Sequence, residues 1–374
     1  MEAMIMFDLQ EYCSEQFSAG YGVVIMPALG IFSVDGVLTQ SGVTFAHSSC
    51  ISGVSSIIEQ AHLIEIQEGF TPQDIEYQLN GRSIREVATT FTGIKKSVFT
   101  NSDLAILSFD PLRFQGFKDH DSDLLFLKSL SDQAFNALNV IRFMHCDLFV
   151  TDKLPMIPGY WQNSDGFMGA CIALPNQLPE IVAGRQMGGA VSSGLGIGLE
   201  SSDTIGMEGH PFVTTIEPDE PSRNEVGQII EHALKLYNRA MYANSDTLKF
   251  INVMALFEYL GTGDKYTNFK QVRPKLQSHI AQSREQYEDL SEVFQMLTSL
   301  KIGGVNVGYR TRIIHEGALL EDLIPSAPER EKLFRDLTQY IQLIIRGMYR
   351  FTDHTLESLQ EQRKLKLQAI GIST

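Results

Sequence analysis

The pattern of apolar and polar positions changes character near residue 220. Before it, short runs rich in Val, Ile and Phe alternate with clusters of Gly, Pro, Asn and Ser, which is typical of strands joined by turns. Four such runs are residues 20–34, 42–54, 97–109 and 166–175. One clear helix, between Ser122 and Met144, interrupts them, with Ser122 as its candidate N-cap. Residues 1–220 are therefore predicted to form an α+β, mostly β domain, whose strand order the pattern leaves open.

After residue 220 the apolar positions follow helical spacing. Amphipathic stretches cover residues 225–243, 245–260, 283–300 and 327–351. Ser245 or Asp246 is the candidate N-cap of the second stretch, and Gly261 and Gly263 are predicted to end it. We find no convincing strand pattern here. Residues 222–374 are therefore predicted to form an all-α bundle, and the segment Thr215–Asn224 between the two parts reads as a linker.

Charge is distributed unevenly between the two parts. The chain of 374 residues carries a net charge of −15. Residues 1–221 hold 10 Lys and Arg against 27 Asp and Glu, a net −17, whereas residues 222–374 hold 20 against 18, a net +2. Nucleic acid is therefore an implausible partner for the first part and a permitted one for the second.

Composition excludes several other classes of protein. No stretch of eighteen apolar residues predicts a membrane helix, and the acidic first residues do not resemble a secretory signal. The four cysteines are scattered without a CxxC pair, so we expect reduced thiols, a cytoplasmic location and no metal site. The glycines of the stretch Met187–Glu200 run into a turn-like sequence, so we expect a loop there and no dinucleotide cofactor.

The stretch YRTRIIHEG, Tyr309–Gly317, is the strongest candidate for chemistry. RNA supplies its own nucleophile, the 2′-hydroxyl, so its cleavage needs a proton carrier that titrates near neutral pH and a fixed positive charge beside the phosphate. His315 and Arg310 provide these groups. On an ideal helix they lie about 140° apart and do not share a face. Arg312 and His315 do share one, which makes Arg312 a second phosphate ligand or the better one.

Spacing alone does not single out this pair. An Arg followed by a His after four to six residues also occurs at Arg113–His120 and Arg273–His279. The first of these lies in an acidic surrounding that repels phosphate, and Pro274 after Arg273 favours a structural boundary there. The third pair alone lies late in the predicted bundle, includes a second arginine and is flanked by glycines.

The C-terminal part resembles a HEPN domain, the helical fold of many prokaryotic toxin and defence ribonucleases, and most closely its ApeA-like group. The resemblance covers residues 222–350 and rests on VMALFEYLG, Val253–Gly261, and on YRTRIIHEG, which resembles the Arg-x4–6-His site of that group. It implies a metal-independent endoribonuclease in stress or phage defence that forms a homodimer, with Arg310 and His315 as catalytic residues. Thr311 departs from the family pattern, which has Asn, Asp or His after the arginine.

We therefore expect an acidic sensing or regulatory domain followed by a HEPN-like bundle that cuts RNA, with Arg310 and His315 as catalytic residues and Arg312 as an RNA ligand. We expect Glu258, near the end of the apolar helix, to cap or pair within the bundle. Two alternatives stay open. One is an inactive HEPN scaffold that dimerises or binds RNA, and the other is a small-molecule-binding protein that uses residues 1–220.

Overall fold

The computed structural model describes most of the chain. The described residues are 6–33, 36–63, 83–90, 92–114, 116–161, 166–185, 196–199, 224–263, 265 and 267–373. The predicted linker at Thr215–Asn224 lies outside them except for its last residue. The chain divides into two units, one formed by Met1–Ile141 with Asp152–Pro218 and the other by Arg142–Thr151 with Asp219–Thr374. The segment Arg142–Thr151, which the sequence places in the first domain, thus belongs to the second unit.

The first unit is built around a six-stranded antiparallel sheet with the order β3-β4-β6-β2-β7-β8. The strands described in this unit are β1 (Phe7–Asp8), β2 (Gly22–Pro27), β3 (Val37–Gln40), β4 (Val43–His47), β5 (Ile51–Ser52), β6 (Asp103–Phe109), β7 (Phe167–Ala173) and β8 (Glu180–Arg185). Of these, β1 and β5 form a separate parallel pair outside the six-stranded sheet. Each of the four predicted runs contains at least one of these strands, and the run 42–54 contains both β4 and β5. The β-rich character predicted for this region is confirmed. The sequence does not predict that the sheet is antiparallel, and β1, β3 and β8 lie outside the predicted runs.

Helices cover both faces of this sheet. The described ones are α1 (Leu9–Ser18), α2 (Val54–Gln60), α3 (Ile84–Thr90), α4 (Ser97–Thr100), α5 (His120–Ala137) and α6 (Asn139–His145). Ala183 belongs to the core cluster that includes residues of α1 and α2, whereas a Cβ on Gly184 would touch Leu124 of α5. Successive strand residues point to opposite faces, so α1 and α2 lie on one face and α5 on the other.

The single helix predicted around Ser122 is wrong in two details. Its N-cap is Asp119, whose carboxylate accepts hydrogen bonds from the Ser122 backbone N–H at 3.0 Å and from its hydroxyl at 2.9 Å. The helix also ends at Ala137, and α6 follows it. The short helices α1 to α4 were not predicted, because each is too short to show helical spacing clearly.

The second unit is helical in its described residues, as predicted, apart from one small hairpin. Its helices after residue 220 are α7 (Glu225–Met241), α8 (Asp246–Thr262), α9 (Phe269–Ile280), α10 (Arg284–Thr298), α11 (Tyr309–Glu316), α12 (Leu320–Leu323), α13 (Ala327–Tyr349) and α14 (Leu356–Ala369). Their apolar faces form a common core that contains Tyr237, Phe257, Phe294 and Ile341, all fully buried.

The segment Arg142–Thr151 contributes to this core. Leu148 is fully buried, its backbone N–H donates to the Thr338 hydroxyl at 3.2 Å, and its carbonyl accepts from Lys249 Nζ at 2.8 Å. The Tyr237 hydroxyl donates to the Cys146 carbonyl at 3.5 Å. Ten residues from the first half of the sequence therefore complete the helical unit.

Two sequence expectations about the second unit are corrected by the structure. A β-hairpin, β9 (Lys301–Ile302) with β10 (Val305–Asn306), lies where no strand was expected. Its turn residues Gly303 and Gly304 both have positive φ, as a two-residue hairpin turn requires. Pro274 was expected to mark a boundary, but it lies inside α9.

Among the described residues, no helix is long and apolar enough to cross a membrane. The four cysteines are buried free thiols.

Candidate functional site

The helix α11 holds all three candidate residues of the sequence. It begins after Gly308 and ends at Gly317, whose φ of 70° gives the left-handed C-cap that favours glycine. The prediction of a short helix over YRTRIIHEG is therefore confirmed. Eight residues have little helical stability of their own, so the packing of α11 against its neighbours fixes the position of these side chains.

Gly308 anchors the start of α11 to the end of α10. Its N–H donates to the Leu300 carbonyl at 3.1 Å, and a Cβ on it would lie 2.6 Å from the Ser299 backbone nitrogen. Because a side chain has no room at this contact, glycine allows the two backbones to meet. Thr311 adds a second anchor, since its hydroxyl donates to the Thr298 carbonyl at 2.8 Å. Thr311 therefore holds the start of the helix in place.

Arg310 extends from α11 towards α8 and forms an ion pair with Glu258. Its Nη2 lies 2.8 Å from Glu258 Oε1, and the two side chains are 37% and 28% exposed. Glu258 therefore pairs within the helical unit. The pair fixes the guanidinium at the surface, where solvent still reaches it.

His315 lies on a different side of the same helix. It is exposed, and Arg312, which is half-buried, places its Nε 3.4 Å from Glu316 Oε2. Because α11 is a regular helix, five residues rotate His315 by about 140° and shift it by about 7.5 Å along the axis relative to Arg310. Within one chain, the structure does not bring Arg310 and His315 together. Arg312 and His315 share a face, as their spacing predicts.

A cavity of about 710 Å³ opens beside Arg310. Four cationic side chains line it: Lys270, Arg273, Lys301 and Arg310. Glu258 is the one carboxylate among the lining residues that the structure describes. Hydroxyl and amide groups occupy much of the remaining wall, from Thr267, Asn268, Gln295, Thr298, Ser299 and Thr311. The excess of positive charge suits an anion.

A smaller cavity of about 90 Å³ lies on the other side of Arg310. Ile251, Met254, Ala255 and Ile314 are among its lining residues. Ile314 is 50% exposed, and Ala255 is exposed as well. An apolar strip of α8 and α11 therefore adjoins the ion pair at the surface.

A buried arginine supports the end of α8 that carries Glu258. Arg363 of α14 donates through Nη2 to the Leu260 carbonyl at 2.9 Å and through Nη1 to the Gly261 carbonyl at 3.3 Å. Burial lowers the pKa of this arginine to about 9, which leaves it charged at neutral pH. A positive charge at a helix C-terminus stabilises the otherwise unpaired carbonyls. Arg363 thus acts as a C-terminal cap for α8.

His279 completes this buried cluster. Arg363 Nε donates to His279 Nε2 at 2.9 Å, so the imidazole has to be neutral at that nitrogen. Burial, reinforced by the charges of Arg363 and Lys366, holds the pKa of His279 well below its ordinary value. Gly347 leaves the space for the ring, because a Cβ there would lie 2.7 Å from His279 Nδ1. His279 is thus a structural residue of this unit.

Sequence reasoning missed three of the four cavity cations. Lys270 and Lys301 carry no motif, and Arg273 was set aside because of Pro274. Since α9 continues through Pro274, Arg273 reaches the same cavity as Arg310. Within the described part of the chain, no group of three or more His, Cys, Asp and Glu is arranged to hold a metal ion.

Comparison with known proteins adds no relative, since no protein-family profile, curated protein or solved structure matches this chain.

Proposed function

We propose that the helical unit is a HEPN-type endoribonuclease that cleaves RNA without a metal ion. The observation that carries the proposal is the cationic cavity at Arg310, which lies in a chain of net charge −15 and adjoins a short helix that also bears an exposed histidine. Positive charge concentrated at one place on an acidic protein favours a polyanion as the ligand.

In this mechanism Arg310 binds the phosphate that is cleaved. The 2′-oxygen attacks phosphorus, the bond to the 5′-oxygen breaks, and the products are a 2′,3′-cyclic phosphate and a 5′-hydroxyl. One proton leaves the 2′-hydroxyl and one reaches the departing oxygen, so the reaction benefits from a base and an acid. Arg310 stabilises the charge that develops on the phosphorane oxygens. Arg312 assists from the face that it shares with His315.

Two copies of the chain supply what one copy lacks. One chain offers one His315, turned away from its own Arg310, whereas a two-fold dimer would place a second motif in the same cleft. The exposed apolar strip of Ala255 and Ile314 beside Arg310 provides a surface of the right character for such an interface. We therefore propose a homodimer formed through the helical unit.

The test compares His315→Ala, Arg310→Ala and Arg312→Ala with the wild type in RNA cleavage and filter binding. Loss of the histidine should lower the cleavage rate by roughly 10²–10⁴ and leave RNA affinity unchanged. Loss of Arg310 should lower affinity and rate together. Arg312→Ala should have a milder effect of the same kind. A thermal melt of each variant controls for folding, and His315→Ala cutting at the wild-type rate would refute the proposal.

A second candidate function is an RNA-binding scaffold without catalysis. The observation that favours it is Thr311, whose hydroxyl is occupied by the Thr298 carbonyl and so offers no second polar group beside Arg310. A wild-type protein that binds RNA through Arg310 and cuts none would establish the scaffold. Light scattering separates the dimer from the monomer in either case.

A further inference from the structure

The cavity beside Arg310 is larger and more basic than one cleaved phosphate requires. Lys270 and Arg273 belong to α9 and Lys301 to β9, so three cations from two elements converge on it. Lys270 and Lys301 are exposed. Among the described residues, none of the three has a carboxylate within ion-pair distance, in contrast to Arg310 with Glu258.

Arg273 provides an independent indication of a ligand. Its Nε is buried and has no hydrogen-bond acceptor among the described protein groups, although the residue lines the cavity. Buried donors in proteins nearly always have a partner, because an unsatisfied one costs about 1–3 kcal/mol. Because this atom has almost no accessible surface, an anion in the cavity would become its acceptor once the Arg273 side chain shifts on binding.

The first turn of α9 points the same way. Asn268 is its N-cap, accepts from the Lys270 N–H at 2.9 Å, and lines the cavity together with Phe269 and Lys270. The N-terminus of a helix carries partial positive charge and binds phosphate groups favourably. The helix end therefore adds to the field of the three cations.

The residues that line the cavity suit the backbone of a nucleic acid better than its bases. Its apolar members are Phe269 and Leu300, and the Phe269 ring is buried against Phe294 with centroids 6.1 Å apart. Base recognition in single strands uses exposed aromatic faces for stacking. This cavity offers cations and the amide side chains of Asn268 and Gln295 instead, which suit phosphates and riboses.

We infer that the cavity is a backbone subsite that binds the phosphates of single-stranded RNA next to the phosphate held by Arg310, an inference that rests on the RNA binding in the proposed function. Lys270, Arg273 and Lys301 bind these neighbouring phosphates and orient the strand across α11. They are positioning residues, and His315 remains the proton carrier.

The experiment measures the salt dependence of binding by the full-length protein. The probe is a short single-stranded RNA with methylated 2′-hydroxyls, which cannot be cleaved, and the readout is fluorescence anisotropy between about 50 and 200 mM salt. The variants are Lys270→Gln, Arg273→Gln and Lys301→Gln. Arg284→Gln and Lys332→Gln are matched controls, because both residues are exposed in the same unit and lie outside the cavity lining. Cleavage of the unmodified RNA is followed in parallel.

The logarithm of affinity falls linearly with the logarithm of salt concentration. Each cavity variant should make this slope shallower by about 0.7, and the triple variant by about 2, since each lost contact leaves one phosphate unneutralised. The controls should keep the wild-type slope. The two lysines are exposed, so their variants keep the test decisive even if Arg273→Gln fails to fold.

The outcomes separate the subsite from the catalytic proposal. Wild-type slopes in the folded cavity variants would overturn the subsite, whether or not the protein cuts RNA. Slopes lowered equally in cavity variants and controls would overturn it too, because binding would then follow total charge. Lowered slopes in a protein that binds but never cuts RNA would support the subsite and refute the ribonuclease.

Discussion

Replacing Glu258 by Gln separates two roles of the ion pair with Arg310. In the unbound protein the carboxylate holds the guanidinium at 2.8 Å. Under the proposed function, an RNA phosphate would compete with that carboxylate for the same donors. The carboxylate also keeps a long, half-exposed side chain in one place. The substitution keeps the shape of the side chain and removes its charge.

The expected changes in RNA affinity and in cleavage rate both follow from the solvent exposure of the ion pair. Arg310 is 37% exposed and Glu258 28% exposed, so solvent screens the interaction to about 0.2–1 kcal/mol. Removing the competitor should therefore tighten RNA binding by about 1.4- to 5-fold. The positioning that the pair provides is limited to the same range of about 0.2–1 kcal/mol, so the cleavage rate at saturating RNA should fall by at most about 5-fold.

The assay combines filter binding with single-turnover cleavage, on the wild type and on Glu258→Gln. Glu288→Gln is the matched control, because Glu288 pairs with Arg284 at 2.9 Å on α10, away from the cavity lining. Weaker binding by Glu258→Gln would refute the competition argument. A cleavage rate equal to that of the wild type would refute the role of Glu258 in holding Arg310.

Three further predictions concern the support of the site. As the pH falls below 6.5, the free energy of unfolding of the helical unit should decrease by up to about 1.4 kcal/mol per pH unit, because His279 binds a proton in the unfolded chain and stays neutral in the folded one. Denaturant titrations measure this free energy, and this part of its pH dependence should vanish in His279→Gln. Gly308→Ala should cost about 1–3 kcal/mol, measured as a shift of the denaturation midpoint, because its Cβ would meet the Ser299 backbone; an unchanged midpoint would contradict the close contact. Cleavage should continue in the presence of a chelator, and its loss with recovery on adding magnesium would contradict the mechanism.

The sequence predicts the elements of the helical unit better than the site. The helix α11 is predicted because a glycine precedes it and another follows it. The helix α8 is predicted because Ser245 caps its start and Gly263 ends it. Local signals of this kind act over one or two turns, so they are readable in the chain. Gly261, expected to end α8, instead lies within it, where a Cβ would collide with Val272 of α9.

The cavity is harder to predict because its cations are distant in the sequence. Lys270 and Lys301 are brought to Arg310 by the packing of α9 and the hairpin, which no local periodicity encodes. The hairpin itself has two-residue strands, too short for alternation, although the pair Gly303–Gly304 is a recognisable turn signal. Arg273 is not predicted at the site, because a proline disfavours helical conformation in the residue before it, yet α9 continues through Pro274.

The contribution of Arg142–Thr151 to the helical unit has a consequence for how this protein can be divided. A polypeptide that starts at residue 219 would lack Leu148 and would leave the Thr338 hydroxyl and Lys249 Nζ without the hydrogen bonds that they form with its backbone. The two units are therefore not modules that a single junction can separate, either in the laboratory or by recombination between genes. Any exchange of the first unit for another has to preserve these ten residues.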